Sequence, residues 1–381
     1  MKTAMIQIMA GAAMLSSATY VPILARDTLG ADELFVTLIV AVYAITSFVA
    51  TYVFGRAGDI YGRRLILRIG LFAALVSFAL LIVVDTLEGL FIVRMINGFC
   101  IGIYPGALTA YAYESKMPMG KFAAFGALGW GGGTLLSGFA ATFEIHQAFL
   151  VSTLFLVGAL ASAIALPPLP GLHMRIPLFP VETIKQNMPI FVAMLIRQGS
   201  ASAVWALWPL FLADLGGDDF AIGVIQALNS VVQVLFMAGL TDRFTYRPLI
   251  LAGLVGSAVT FGWLMLVSNI IEVLPTQIVL GFAWSCFYVG SLKYVTDRNV
   301  EKSTASGLLQ SVIAISGIIG PVIAAVLYTL WPSYQPILFA AFAMSIVALV
   351  VFRAADTRNE EQLKSADMTR VPDALLRPVA R

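Results

Sequence analysis

The chain has 381 residues, 60% of them apolar and only 12% charged, with a formal net charge of +2. A soluble domain carries about a quarter charged residues, so this composition excludes a water-soluble fold. The two cysteines, Cys100 and Cys286, both sit in apolar runs, which excludes a disulfide framework.

Apolar runs of spanning length recur along the whole chain. Each is long enough to cross a hydrocarbon layer about 30 Å thick. They are continuous rather than alternating, so they predict helices and not barrel strands. The first six spans are read at 2–24, 33–54, 65–84, 89–112, 122–142 and 148–166. The second six are read at 189–212, 219–239, 248–268, 273–295, 304–328 and 334–353. The opening segment has the look of a secretory signal, but it lacks a small-x-small cleavage site and is needed for the helix plan. Between the two sets, 167–188 is read as a proline-rich connector carrying Pro167, Pro168, Pro170, Pro177 and Pro180. The polar stretch 354–381 is read as a disordered tail. The expected domains are therefore 1–166, a linker, 189–353 and the tail.

Basic residues orient such a chain, because cytoplasmic loops collect Lys and Arg. Of the 23 lysines and arginines, all except Arg26, Arg94 and Arg197 fall on the side that carries both termini. That side is expected to be cytoplasmic, and the membrane the plasma (inner) membrane. The halves also repeat at one fixed offset: Asp59 maps onto Asp242, Arg64 onto Arg247, Gly98-Phe99 onto Gly281-Phe282, and Glu114 onto Asp297. Each pair holds the same place in the helix plan. Parallel repeats of six helices with a site at their interface are a known transporter design.

The link after the second span reads Gly55-Arg56-Ala57-Gly58-Asp59-Ile60-Tyr61-Gly62-Arg63-Arg64. Its glycines permit a tight turn and close helix approach. Asp59 is suited to face the positive end of a helix dipole in the other half, and Arg63 and Arg64 to pair with Glu114. The fourth span opens with Arg94-Met95-Ile96-Asn97-Gly98 and continues to Gly102. These motifs resemble the signature loop and fourth-helix pattern of the major facilitator superfamily, over about residues 2–353. The resemblance implies an all-α membrane protein with twelve transmembrane helices in two pseudo-symmetric six-helix bundles. It also implies that Gly55, Asp59, Gly62, Arg63, Arg64 and Glu114 latch the halves together, with Asp242, Arg247 and Asp297 as second-half counterparts. The Gly62 position is Thr245 in the second half, so a weaker or absent latch is expected there. The fifth span, Gly129-Trp130-Gly131-Gly132-Gly133-Thr134 to Ser137-Gly138, matches the glycine-rich motif of drug antiporters only in part. Thr134 stands for its proline and Ser137 for a glycine.

An arginine in mid-membrane costs roughly 2.5–3.5 kcal/mol on insertion scales and calls for a reason. Arg94 and Arg197 are two such residues, read either as cavity groups or as structural arginines bonded to carbonyls. Helical spacing gathers other polar and aromatic residues with them. The eighth span carries Gln226, Asn229 and Gln233 on one face, with Ser230 beside them. Trp205 and Trp208 follow Arg197, Gln277 shares a face with Trp284 and Tyr288, and Asn97 and Tyr104 lie below Arg94. The family resemblance puts the first, fourth, seventh and tenth helices around a central cavity. These stripes are read as substrate-binding, with interhelical hydrogen bonding as the alternative.

No carboxylate is read in mid-span; Glu272 and Glu33 are the nearest, and His146 and His173 lie in loops. A proton coupled through a rim acid, uniport, exchange, and a charge carried by the substrate all stay open. No metal spacing, phosphate loop or catalytic constellation occurs, so neither an enzyme nor a cofactor is expected. The expected partners are the bilayer and a small-molecule substrate, for a protein acting as a monomer. The leading expectation is a secondary transporter that exports amphipathic or drug-like compounds. A carrier of small organic anions and a non-transporting receptor or scaffold are the alternatives.

Overall fold

The computed structural model describes residues 2–168, 175–217 and 219–370. Every regular element in it is a helix, and twelve long helical units account for nearly all described residues. The first half holds α1 (Lys2–Ile23, ending in a π turn at Leu24–Thr28) and α2 (Glu33–Gly55, continued by Ala57–Tyr61). Next come α3 (Arg63–Ala79), α4 (Leu87–Gly102, then Pro105–Glu114), α5 (Met119–Ala141) and α6 (Ile145–Ile164). The second half holds α7 (Val181–Asp214), α8 (Asp219–Gly239) and α9 (Tyr246–Leu264). It finishes with α10 (Ile270–Arg298), α11 (Lys302–Leu330) and α12 (Gln335–Arg370).

Eleven of these units are long and apolar enough to cross a membrane. The remaining one is α5, whose mean hydropathy is diluted by its glycines. The outward faces are apolar and exposed, with Leu135 76%, Leu235 66% and Leu266 80% exposed, as a lipid solvent allows.

Local chemistry sets the helix ends. The Asp32 carboxylate accepts from Phe35 N (2.8 Å), Thr86 from Gly89 N (3.2 Å) and Asn269 from Ile271 N (3.1 Å). Each side chain satisfies an orphan amide of the first turn. Pro105 opens the second segment of α4, where its missing N–H does no harm.

Two expectations are corrected. The connector becomes helical at Val181, eight residues before the expected start. The reason is tertiary. Asn187 and Asn299 exchange amide hydrogen bonds of 2.9 Å, and Thr183 Oγ1 donates to Glu301 (2.7 Å). The tail is also helical as far as Arg370, because α12 runs on past its apolar stretch. Linker residues 169–174, which include His173, and tail residues 371–381 lie outside the described residues.

The packing repeats. In the first half α1 lies on α5 and α6, α2 on α4, and α3 on α6. The second half has the same pairs six helices later: α7 on α11 and α12, α8 on α10, and α9 on α12. Between the halves, α2 packs on α11 and α5 on α8, which a two-fold axis interchanges.

Contact on the inside of each half is close. A Cβ at Gly133 of α5 would lie 2.5 Å from Ala12 Cα of α1, whereas one at Gly132 would meet nothing within 4 Å. Gly133→Val is expected to cost about 1–3 kcal/mol by overpacking and to lower the midpoint of thermal unfolding in detergent. Gly132→Val in the same helix turn should leave that midpoint unchanged.

Candidate functional site: a cross-half seam and a central cavity

Among the described residues, the hydrogen bonds that join the two halves all lie at the end carrying the Asp59 and Asp242 turns. Asp59 is fully buried. Its carboxylate accepts from Ser303 N (3.3 Å), Thr304 N (2.8 Å) and Thr304 Oγ1 (2.8 Å) at the start of α11. It also accepts from Arg63 Nη2 at 2.8 Å, and Arg63 reaches on to Glu114. An anion at a helix start meets unpaired amides and the positive end of the dipole together, worth up to about 2 kcal/mol in buried geometry. The chain can turn there because Gly62 has φ +100°, a left-handed value that penalises any side chain. Gly55 abuts Gly307 directly, and Thr51 shares a 2.9 Å hydroxyl bond with Ser311.

The second half makes a contact of the same kind. Asp242 accepts from Gly120 N (2.8 Å) and Lys121 N (3.1 Å) at the start of α5, the two-fold counterpart of the first site. Thr245 is extended at φ −71°, so this turn needs no glycine. It is the wetter contact: the Asp242 side chain is 21% exposed, and Lys293 stands 3.9 Å off. Arg247 pairs instead with Asp356 (3.2 Å) inside its own half. Arg64 has no carboxylate partner among the described residues; Arg63 takes the role expected of both. Asp297 lies beside the Tyr113 hydroxyl, across the seam, and Lys302 covers the Tyr113 ring at 4.6 Å.

Beyond the seam lies a cavity of about 470 Å³. Arg197, Trp205, Trp208, Gln226, Asn229, Gln233, Gln277 and Trp284 all line it. Leu15, Trp130, Gln198, Ser230 and Leu280 complete the wall. The polar groups come almost entirely from the second half; the first half supplies Leu15 and Trp130. Gln226, toward the end opposite the seam, is exposed.

Arg197 is 2% exposed, with Nε donating to Ser257 Oγ (3.0 Å) and Nη1 to Gln198 Oε1 (2.8 Å). The face of Trp284 lies 5.2 Å from its guanidinium carbon. Gln233 donates to Asn229 (2.5 Å), and Asn229 to the Gln277 carbonyl (3.3 Å), tying α8 to α10. Trp205 and Trp208 meet edge to face at 5.2 Å. Tyr288 lies behind the wall, stacked on Trp284 at 5.2 Å, and its hydroxyl accepts from Gln310 (3.3 Å).

Arg94, Asn97 and Tyr104 stand apart from this cavity. The Arg94 guanidinium lies over the Tyr43 ring at 4.0 Å, and Asn97 is fully buried beside it. Tyr104 falls at the break in α4 and turns onto α3, where a Cβ on Gly70 would lie 2.8 Å from the Tyr104 Cβ. Of the acids nearest mid-span, Glu272 accepts from Ser268 N (2.9 Å) and Asn269 Nδ2 (2.6 Å) in the exposed first turn of α10. The side chain of Glu33 lies outside the described residues. His146 bonds the Val84 carbonyl (3.1 Å) at a helix start.

Trp130, Gln198 and Leu15 were missed by periodicity. Trp130 hides in the glycine run, and Gln198 sits one residue from Arg197, off its helical face. A bulky indole between Gly129 and Gly131 is the one signal that could have pointed to Trp130.

A family model described as "Major Facilitator Superfamily" matches residues 3–180 and 190–380. The chain belongs to the major facilitator superfamily. It is 23% identical over 360 residues to the class B tetracycline resistance protein of Escherichia coli, covering 86% of this chain and 89% of that one. It is 24% identical over 334 residues to multidrug resistance protein 1 of Bacillus subtilis, covering 82% and 85%. Among solved structures, the human organic anion transporter MFSD10 (TETRAN) overlays with a TM-score of 0.80 at 14% identity, covering 92% of this chain and 98% of that one. A bacterial homologue of the iron transporter ferroportin, in an outward-facing state, overlays with a TM-score of 0.74 at 14% identity, covering 93% and 98%. The fold is thus that of the superfamily, and the protein is an integral membrane protein of a transporter family.

Replacing Asp59 by Asn should loosen the seam, because a buried charged acceptor is lost to two amides and an arginine. A cysteine in place of Ser311 is then expected to react with a permeant maleimide about tenfold faster, as about 1.4 kcal/mol of seam energy would give. Asp242→Asn, at the wetter latch, should produce a smaller increase.

Proposed function

We propose that the protein is a secondary transporter that exports amphipathic organic compounds by alternating access. In this reading the Asp59 end faces the cytoplasm, both termini lie there, and the conformation described is open to the outside. The carrying observation is the cavity itself: a polar stripe from α8 and α10 facing indoles from α5, α7 and α10, beyond a closed seam. Aromatic walls accept flat apolar bodies of varied outline, and a few amides orient them. The efflux relatives named above support the same direction of transport.

A second reading rests on Arg197. It faces the cavity and, among the described residues, has no carboxylate partner, which suits it to an organic anion. Charge-assisted hydrogen bonds to a guanidinium are the strong ones in a desolvated pocket. The two readings meet in a compound with an aromatic body and an acidic group.

A thermal-shift screen of the purified protein against organic anions, amphipathic cations and neutral amphipaths separates them. Several unrelated amphipaths should stabilise the wild type. Arg197→Ala should weaken binding of anions by about thirtyfold or more, the effect of removing one partner from a buried charge pair, and should spare neutral ligands. A stable, monodisperse protein that no compound stabilises and that supports no solute flux in vesicles would instead be a receptor or scaffold built on this fold.

A further inference from the structure

We infer that the first half binds the phosphate headgroup of an anionic phospholipid at its Asp59 end, where Lys2, Arg64 and Arg68 meet beside the end of α6. The site lies outside the cavity and does not depend on which compound is carried.

The two halves differ at this corner. In the second half the turn arginine, Arg247, lies at the start of α9, and α12 runs on beyond its apolar stretch to supply Asp356. That carboxylate is fully buried and pairs with Arg247 Nε (3.2 Å) and Arg298 Nη1 (3.3 Å). In the first half Arg64 holds the equivalent place at the start of α3, but α6 stops at Ile164 and brings no acid. By sequence no carboxylate follows α6 until Glu182, none precedes Asp27 in α1, and none occurs in α3. The two acids at this end of the first half, Asp59 and Glu114, are both engaged by Arg63.

Three cations therefore share one corner. Lys2 Nζ donates to the Ala165 carbonyl (2.6 Å). Arg68 donates through Nε to the Ala163 carbonyl (3.1 Å) and through Nη2 to that of Ile164. Arg64, one helical turn before Arg68, has its Nε buried without a hydrogen-bond partner. Both arginines lie near the Tyr111 hydroxyl, which donates to the Pro167 carbonyl (2.8 Å). The end of α6 offers about half a negative charge, so the corner stays strongly positive. All three side chains keep N–H donors to spare.

The surroundings select the occupant. Toward the bilayer α3 continues in an exposed apolar stripe, Leu65, Ile69 and Phe72, and Ile164 is exposed at the end of α6. A ligand here meets cations at its head and lipid-facing side chains below. Free phosphate would use the cations alone, whereas a phospholipid uses both. Each cation near a charged membrane surface is worth about fivefold in affinity for anionic headgroups.

The test places the full chain, with Cys100→Ser and Cys286→Ala, in phosphatidylcholine nanodiscs holding a minor share of dibrominated phosphatidylglycerol. A bimane label on Phe72→Cys reports bromine quenching below the corner, and one on Val255→Cys reports the matching place on α9. Both positions face outward, 58% and 48% exposed. Relative to brominated phosphatidylcholine, phosphatidylglycerol should be enriched about tenfold or more at Phe72 and not at Val255. Arg64→Gln should reduce the enrichment about fivefold, and Arg64→Gln with Arg68→Gln should abolish it. A control pair, Lys121→Gln with Arg175→Gln, removes the same charge beside Asp242 and beside Ile60 and should leave the enrichment unchanged. Equal enrichment at the two labels, or an equal loss in the control pair, would assign the attraction to the general charge of this surface and overturn the site. Displacement of the lipid by inorganic phosphate would overturn the lipid as occupant. Arg64→Gln alone should unfold at the wild-type midpoint in phosphatidylcholine, so the single variant decides the matter if the double variant does not fold.

Discussion

The two halves are held together by a carboxylate of one buried at the start of a helix in the other. Asp59 has given up water completely and replaced it with the amides of Ser303 and Thr304, the Thr304 hydroxyl and Arg63. Such a site is strong only while all its partners are in place, because a half-satisfied buried carboxylate is worse than none. The related contact of Asp242 with the start of α5 joins the halves at the two-fold position, between α5 and α8. Everything beyond the seam, including the cavity, depends on whether it is shut.

The two aspartate contacts differ in a way that follows from their turns. Gly62 lets the chain reverse sharply enough to sink Asp59 under α11, with Arg63 folded over it. At the second turn Thr245 keeps the backbone extended, and Asp242 stays partly wet. The arginine that follows, Arg247, is drawn off to Asp356 on α12. One contact is thus buried and fully paired, the other partly solvated.

Much of this was legible in the sequence because the bilayer leaves so few choices. Spans had to be helices, and a repeat in register had to place Asp59 and Asp242 at matching turns. The stripe Gln226, Asn229 and Gln233 shares a face by helical period alone, and that face proves to line the cavity. The misses have physical causes. Tyr104 follows the fourth-helix face only if α4 is continuous, and the break before Pro105 turns it onto α3. Periodicity placed Arg94 correctly on its helix, but said nothing of Tyr43, on α2, which covers it. The start of α7 at Val181 depends on Asn187 meeting Asn299, a contact between residues 112 apart in the chain. The glycines of α5 were visible, but which of them touch α1 is a property of packing and not of the string.

One cavity, sealed from the Asp59 side by the seam, is reached from the opposite side. Cysteine substitution of Gln226, with Cys100 and Cys286 removed, puts a thiol on the exposed part of its wall. A membrane-impermeant thiol reagent added to intact cells should modify it from outside, and added to inside-out vesicles should react far more slowly. Equal modification from both sides, or modification from the Asp59 side alone, would contradict the account.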